Sequence, residues 1–228
     1  MPSRVLSICV IGGTGAQGSG LALRWAHAEH RVTIGSRVAA KAEATAAELN
    51  VILGANRITG ATNKTGAAAA EIAVLTVPFA NQIATIEDIK AELIGKILID
   101  VTVPLVPPKV SRVQLPPADS CVVALQQMLG DNVRVVSAFQ NVSAHKLKNL
   151  ALAIECDVLV ASDDQEARGI GIELAEAAGL RGIDVGSLAN SVVAESLTSA
   201  LIWINHTYKI PDAGIRITGL PTKRNLPS

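Results

Sequence analysis

The stretch Ile11-Gly12-Gly13-Thr14-Gly15-Ala16-Gln17-Gly18 decides the fold, because of what flanks it. Before it, Arg4 to Ile11 is an apolar, β-rich run of strand character; after it, Gly15 to Ala28 carries Leu21, Leu23 and Trp25 in a helical pattern. Strand, glycine turn and helix in that order open a βαβ unit. Gly12, Gly15 and Gly18 satisfy G-x-x-G-x-x-G, and Gly13, Gly15 and Gly18 satisfy G-x-G-x-x-G. In such a unit the first glycine permits the tight turn, Gly15 lets the backbone approach a pyrophosphate, and Gly18 lets helix and strand pack closely, so that the phosphates meet the helix amides. A glycine turn that holds no ligand is the plainer alternative, and the βαβ context argues against it.

Working outward, Arg31 to Ile34 reads as a second strand and an Ala-rich helix follows to about Leu49. Strand signals return at Ile72 to Val77 and at Lys96 to Val101. Connections too long for hairpins imply right-handed crossovers and a parallel sheet covered on both faces. Pro104, Pro107, Pro108, Pro116 and Pro117 make Thr102 to Asp119 a long loop, which either borders a site beyond the strand ends or is a surface connection. A helix at Ser120 to Leu129, a strand at Val133 to Ser137 and another near Ala153 to Ala161 continue the sheet. Helical patterns at Asp164 to Ala178 and Leu188 to Tyr208 flank the short run Gly182 to Gly186. The expected architecture is α/β: a doubly wound parallel sheet of Rossmann type over residues 1–152, with a small C-terminal α-rich unit over residues 153–228. The last helix carries Val192, Val193, Leu197, Leu201, Ile202, Trp203 and Ile204, which predicts a homodimer interface; burial against its own domain is the alternative.

Composition agrees. Of the 228 residues 49% are hydrophobic, and with two Trp, two Phe and one Tyr the core must be filled by Ala, Val, Ile and Leu, as in buried parallel sheets. Lys plus Arg and Asp plus Glu balance at 20 each, leaving no general field for nucleic acid or an anionic membrane surface. Cys9, Cys121 and Cys156 sit far apart in apolar runs, as reduced core thiols in a cytoplasm would, and form no metal-ligand pattern. Neither a secretory leader nor an apolar stretch of about 20 residues is expected.

The nucleotide selectivity is read about 20 residues past the glycine turn, where an NAD site usually places a carboxylate for the ribose 2′-hydroxyl. Here that place reads Gly35-Ser36-Arg37. Arg37 can grip a 2′-phosphate through paired donors, Ser36 can donate a hydroxyl, and Lys41 adds a charge one helical turn later, so the cofactor expected is NADP(H) rather than NAD. A solvated helix start is the alternative. Thr76-Val77-Pro78-Phe79 closes a strand where ribose and nicotinamide would pass, or is an ordinary strand end stopped by proline.

With these motifs in view, the chain resembles the NADPH-dependent coenzyme F420 reductases, also called F420H2:NADP oxidoreductases. The likeness rests on the glycine turn, on Gly35-Ser36-Arg37 with Lys41-Ala42-Glu43, and on Ala73-Val74-Leu75-Thr76-Val77-Pro78. It continues through Val135-Val136-Ser137-Ala138-Phe139, Asp184-Val185-Gly186-Ser187-Leu188, Glu195-Ser196-Leu197-Thr198 and Gly214-Ile215-Arg216-Ile217-Thr218-Gly219. The resemblance implies a homodimer that exchanges a hydride reversibly between NADPH and the deazaflavin of F420. It implies that Thr14, Gly15, Ala16, Gln17, Ser36, Arg37 and Lys41 hold NADP, and that Thr76, Val77, Phe79 and Ile83 line its ribose and nicotinamide side. It further implies that Val142 and Ala144 lie near the ring pair and that Ala213, Gly214 and Ile215 meet the deazaflavin. Gln140 stands where some relatives carry His, so no imidazole role carries over.

Direct hydride exchange between two stacked rings needs positioning more than acid–base groups. Accordingly no catalytic residue and no metal ligand is assigned, and His145 is read as a capping or packing residue. Two other readings compete: an NADPH-dependent flavin or ferric reductase, and an NmrA-like NADP(H)-binding redox sensor without turnover. A catalytic short-chain dehydrogenase is excluded, since Tyr208 has Asp212 rather than Lys four residues on.

Overall fold

In a computed structural model, which describes residues 4–220, the chain opens with β1 (Ser7–Ile11), α1 (Ala16–His27), β2 (Arg31–Ser36), α2 (Ala39–Leu53), β3 (Ile58–Thr62) and α3 (Asn63–Ala69). It continues with β4 (Ile72–Leu75), α4 (Gln82–Ile89), β5 (Ile97–Asp100), α5 (Cys121–Leu129) and β6 (Arg134–Ser137). Six strands form one sheet in the order β3-β2-β1-β4-β5-β6, every pairing parallel. The chain winds outward from β1 to β3, then crosses back to β4, so the strand order reverses between β1 and β4. The crevice at their carboxyl ends is where such sheets bind ligands.

Burial explains the parallel sheet. Ile8 and Val10 of β1 pack into one apolar cluster with Leu21, Leu23 and Trp25 of α1, while Cys9 and Ile11 pack into a second cluster with Ile86 and Ile89 of α4. A strand buried on both faces reads as a continuous apolar run, as this one does. Burial pushes the Cys9 thiol up to about 12, as suits an inert core sulfur.

Between Leu49 and Ile72 the sequence shows no element, yet β3 and α3 lie there. The reason is steric: a Cβ at Gly60 would stand 2.3 Å from the backbone N of Glu43, so α2 rests directly on an edge strand with no side chain at that point. A second difference concerns the strand expected near Ala153 to Ala161. It is β7 (Asp157–Val160), and it does not extend the main sheet; it pairs in parallel with β8 (Arg181–Asp184), across α6 (Gln165–Ala177), in a sheet of its own. The run around Gly182 is therefore a strand. The chain turns back after β6 through Phe139, with φ 71°, and bridges to the main sheet antiparallel between Ser137 and Ala161. That reversal runs the chain antiparallel to β6 at the bridge, so β7 does not continue the parallel order of the main sheet.

The C-terminal part is nonetheless packed on the first. Val158, Val160, Ile172 and Leu174 share the apolar cluster of Leu21 and Trp25. Trp25 Nε1 donates to the Leu174 carbonyl at 2.8 Å, and its ring meets Phe139 edge-on at 5.8 Å. Arg24 is a buried staple: it donates to the carbonyls of Leu147 at 2.8 Å, Asn149 at 2.8 Å and Ala178 at 3.0 Å. The last helix, α7 (Ser191–Tyr208), buries Ala194, Glu195, Ser199 and Leu201 and leaves Val193, Trp203 and Tyr208 exposed, Trp203 by 62%. Among the described residues no helix is long and apolar enough to cross a membrane.

Candidate functional site

After β1 the backbone turns at Gly12 with φ 70°, a left-handed conformation that favours glycine. At Gly18 a Cβ would lie 2.5 Å from Thr76 Oγ1 and 2.8 Å from Gly13 Cα, so α1 approaches the turn and the end of β4 only because that side chain is absent. Gly15 differs. The nearest neighbour of a Cβ there would be the Gly12 carbonyl at 3.9 Å. Nothing in the protein crowds Gly15, and its missing side chain keeps space open above the first turn of α1. That turn has neither a side-chain cap nor an acidic residue, leaving its amides to an external anion.

The open space belongs to a cleft of about 280 Å³ at the ends of β1, β2 and β4. It brings together Thr14 and Gly15 from the turn, Ser36, Arg37 and Lys41 from the end of β2 and the start of α2, and Thr76 and Val77 after β4. Its lining holds two cations and no carboxylate. Ser36 accepts the Val38 amide at 3.2 Å through Oγ, which leaves its hydroxyl proton free to donate. The residues thus fit a phosphorylated dinucleotide: amides for a pyrophosphate, and a hydroxyl with two cations for a further phosphate. Gly13, Gly18, Ala16 and Gln17 build the turn and the helix start without lining the cleft, and neither Phe79, which follows the lining residue Pro78, nor the exposed Ile83, two residues past Asn81, is in the lining. Asn63, Asn81 and Thr85 also line it, outside the motifs that mark the site in the sequence. Asn81 and Thr85 are one helical turn apart just after the Thr76–Phe79 motif, a spacing that marks a common face.

The other expected site residues form a second group. Gln17 Nε2 donates to the Phe139 carbonyl at 3.0 Å, tying the first turn of α1 to the segment that leads to Val142 and Ala144. Val142 is buried and Ala144 opens a short 3-10 turn. Gly214 packs on Cys156, whose Sγ meets the Asn141 side chain at 3.5 Å, so the segment of Ala213, Gly214 and Ile215 comes close to that of Val142. That tail is firmly held. The Asp157 amide donates to the Ile215 carbonyl at 2.8 Å, the Ile217 amide donates to Asp157 Oδ2 at 2.6 Å, and Arg181 pairs with the same carboxylate at 2.5 Å. Burial opposes ionisation of Asp157, but Arg181 and the Ile217 amide outweigh it and keep the carboxyl below its ordinary range.

Behind the cleft lies a buried polar cluster. Asp100, at the end of β5 and wholly buried, accepts from Gln82 Nε2 at 2.6 Å and from the Thr102 amide at 2.8 Å. Burial raises its carboxyl to about 6 despite these hydrogen bonds. Gln140 donates to the Asp100 carbonyl at 2.8 Å, and its own carbonyl accepts from Thr198 of α7 at 2.8 Å. Here Gln140 holds backbone, which an imidazole would do differently. His145 is exposed and Lys146 pairs with Asp212 at 2.5 Å, so neither reaches the cleft.

Comparison with known proteins agrees with this geometry. The family described as NADP oxidoreductase, coenzyme F420-dependent, matches residues 7–104. The F420-dependent NADP reductase of Methanothermobacter thermautotrophicus is 42% identical over 224 residues, 95% of this chain and 97% of that protein. The enzyme of that name from Methanocaldococcus jannaschii is 40% identical over 223 residues, 94% of this chain and 99% of that protein. Among solved structures, a protein of Arthrobacter sp. FB24 described as an F420-dependent NADP reductase superposes with a TM-score of 0.79 at 26% identity, covering 93% of this chain and 99% of that one. A pyrroline-5-carboxylate reductase from Coxiella burnetii, with a TM-score of 0.61 at 19% identity over 90% of this chain and 68% of its own, shares the fold.

Proposed function

The chain belongs to the coenzyme F420-dependent NADP oxidoreductase family, and from that premise we propose that it transfers a hydride reversibly between NADPH and F420. The observation that carries the reading is the cleft at the strand-order reversal, with an uncrowded Gly15, the cations Arg37 and Lys41 and no carboxylate. When bound, NADPH supplies the hydride from its nicotinamide and the deazaflavin accepts it.

The chain's own work is to bind, orient and exclude water. The first-turn amides of α1, over Gly15, Ala16 and Gln17, hold the pyrophosphate, while Ser36, Arg37 and Lys41 hold the 2′-phosphate. Thr76, Val77, Phe79 and Ile83 line the ribose and nicotinamide side. Val142 and Ala144 border the ring pair from the segment tied to Gln17, and Ala213, Gly214 and Ile215 face the deazaflavin from the tail clamped by Asp157. Fixing two rings in contact at the right angle supplies much of the rate by orientation, on the order of 7 kcal/mol or more. Residues 1–152 serve as the NADP unit and residues 153–228 as the deazaflavin and subunit-contact unit. We place the enzyme in the cytoplasm as a homodimer joined through the exposed apolar face of α7, a reading supported by exposed Val193 and Trp203.

Anaerobic stopped-flow absorbance with NADPH and F420, then with NADPH and FMN or FAD, tests the function. Rapid loss of the oxidised F420 band with inert flavins is expected. Tight NADPH binding without F420 reduction would overturn it.

A further inference from the structure

Asn63 opens α3 at the edge of the cleft, immediately after Thr62, which pairs with Ser36 in the register of β2 and β3. Only 3% of the residue is exposed. Its Oδ1 accepts the Gly12 amide at 3.2 Å, and a Cβ at Gly35 would stand 2.9 Å from that oxygen, so the carbonyl end of the amide is wedged between the two glycines. This fixes the orientation of the group. With the oxygen committed to the turn, the two N–H donors of Nδ2 point the other way, and among the described residues no acceptor meets them. Nor is Nδ2 among the polar atoms sealed from solvent without a partner, so it opens onto the cleft that Asn63 lines. A buried amide with half its hydrogen-bonding capacity turned to a ligand cleft is a placed donor.

We propose that Asn63 is a cofactor-positioning and specificity-determining residue: Oδ1 anchors the glycine turn while Nδ2 donates to the 2′-phosphate held by Ser36 and Arg37. The inference rests on the NADP reading of the cleft and extends it to a residue outside the glycine and Ser-Arg motifs. Its place directly after Thr62, the register partner of Ser36, favours the 2′-phosphate over the pyrophosphate, which faces Gly15. The anchoring oxygen also explains the economy of the arrangement, since the side chain that shapes the turn is the one that reads the ligand.

Asn63→Asp separates the two roles, because it keeps an acceptor for the Gly12 amide and exchanges the donors for a carboxylate oxygen. Binding of 2′,5′-ADP and of 5′-ADP is measured by calorimetry on wild type and variant, with wild-type preference for 2′,5′-ADP checking the NADP reading independently. The variant is expected to lose about tenfold or more in affinity for 2′,5′-ADP and less than about threefold for 5′-ADP. The loss is expected to persist at 1 M salt, where the Debye length is about 3 Å and repulsion without contact is screened. Unchanged affinity, equal loss for both nucleotides, or a loss abolished by salt would overturn the proposal. If the variant does not fold, the side-chain amide resonance of Asn63 in the wild-type protein gives the answer: it is expected to move on addition of 2′,5′-ADP and not of 5′-ADP, and a resonance unmoved by either overturns the assignment.

Discussion

Arg37 and Lys41 supply the positive charge of the cleft from the end of β2 and the first turn of α2, with no carboxylate beside them to offset it. Replacing both by Ala is expected to weaken NADPH about 100-fold or more and NADH less than threefold, since each lost charge-assisted contact to phosphate is worth roughly 1.5–3 kcal/mol. Fluorescence titration with both nucleotides checks the selectivity. Asp100 makes a pH prediction. Its carboxyl rises from 3.8 to about 6 on folding, so between those values the unfolded chain gives up the proton and the folded chain keeps it. Stability from this residue is therefore full below about pH 4 and falls by about 3 kcal/mol as the pH rises past 6. Asp100→Asn lacks that titration, so its stability relative to wild type is expected to improve by about that amount between pH 4 and pH 7 in urea unfolding; parallel profiles would contradict the shift. That Thr14, Gly15, Ser36, Arg37 and Lys41 share one cleft was legible in the sequence because each lies within about five positions of a strand end. Asn63 was not, because its role comes from contact with Gly12 across 51 positions of chain.

Elements join the two parts of the chain through buried charge. Glu195 of α7 accepts from Ser120 Oγ at 2.5 Å and from the Cys121 amide at 2.9 Å, placing a carboxylate at the N-terminus of α5 from another helix. Its neighbour Ser191 also meets Ser120, at 2.6 Å. Glu195→Ala leaves buried donors without an acceptor and is expected to cost about 2–4 kcal/mol, whereas Glu195→Gln, which keeps an oxygen, costs about half as much. Urea midpoints for both variants check the order. The same cross-element logic limited the reading of elements. Strands β1, β2, β4, β5 and β6 announce themselves as apolar runs, but β3 has its apolar pattern broken by Gly60, whose need is set by α2. The strand β7 was legible as a strand and not in its partner, because the turn at Phe139 that reverses the chain is a left-handed bend at a non-glycine residue, a conformation no turn signal marks.

At the scale of the molecule, the exposed stripe of α7 and the buried stripe opposite it set the subunit question. Val193 and Trp203 lie on the open side, while Ala194 and Leu201 are buried within the chain. A dimer joined there is expected to dissociate on Trp203→Glu, with the mass in multi-angle light scattering falling by half and NADPH binding retained; an unchanged mass would place the contact elsewhere. The final helix thus buries part of its apolar surface in its own chain and leaves Val193 and Trp203 exposed, because one neighbour covers only part of a helix's circumference. The scarcity of aromatic rings has an optical consequence. Trp25 is enclosed, with its indole donating to Leu174 and its ring against Phe139, and Trp203 stands in water. In the separate chain the intrinsic emission is therefore a sum of two colours, a blue one that iodide cannot quench and a red one that it can. The first reports the interior where the two parts of the chain meet, and the second would turn blue and resist iodide if another chain covers the face of Trp203, so one spectrum tests folding and association separately without any label.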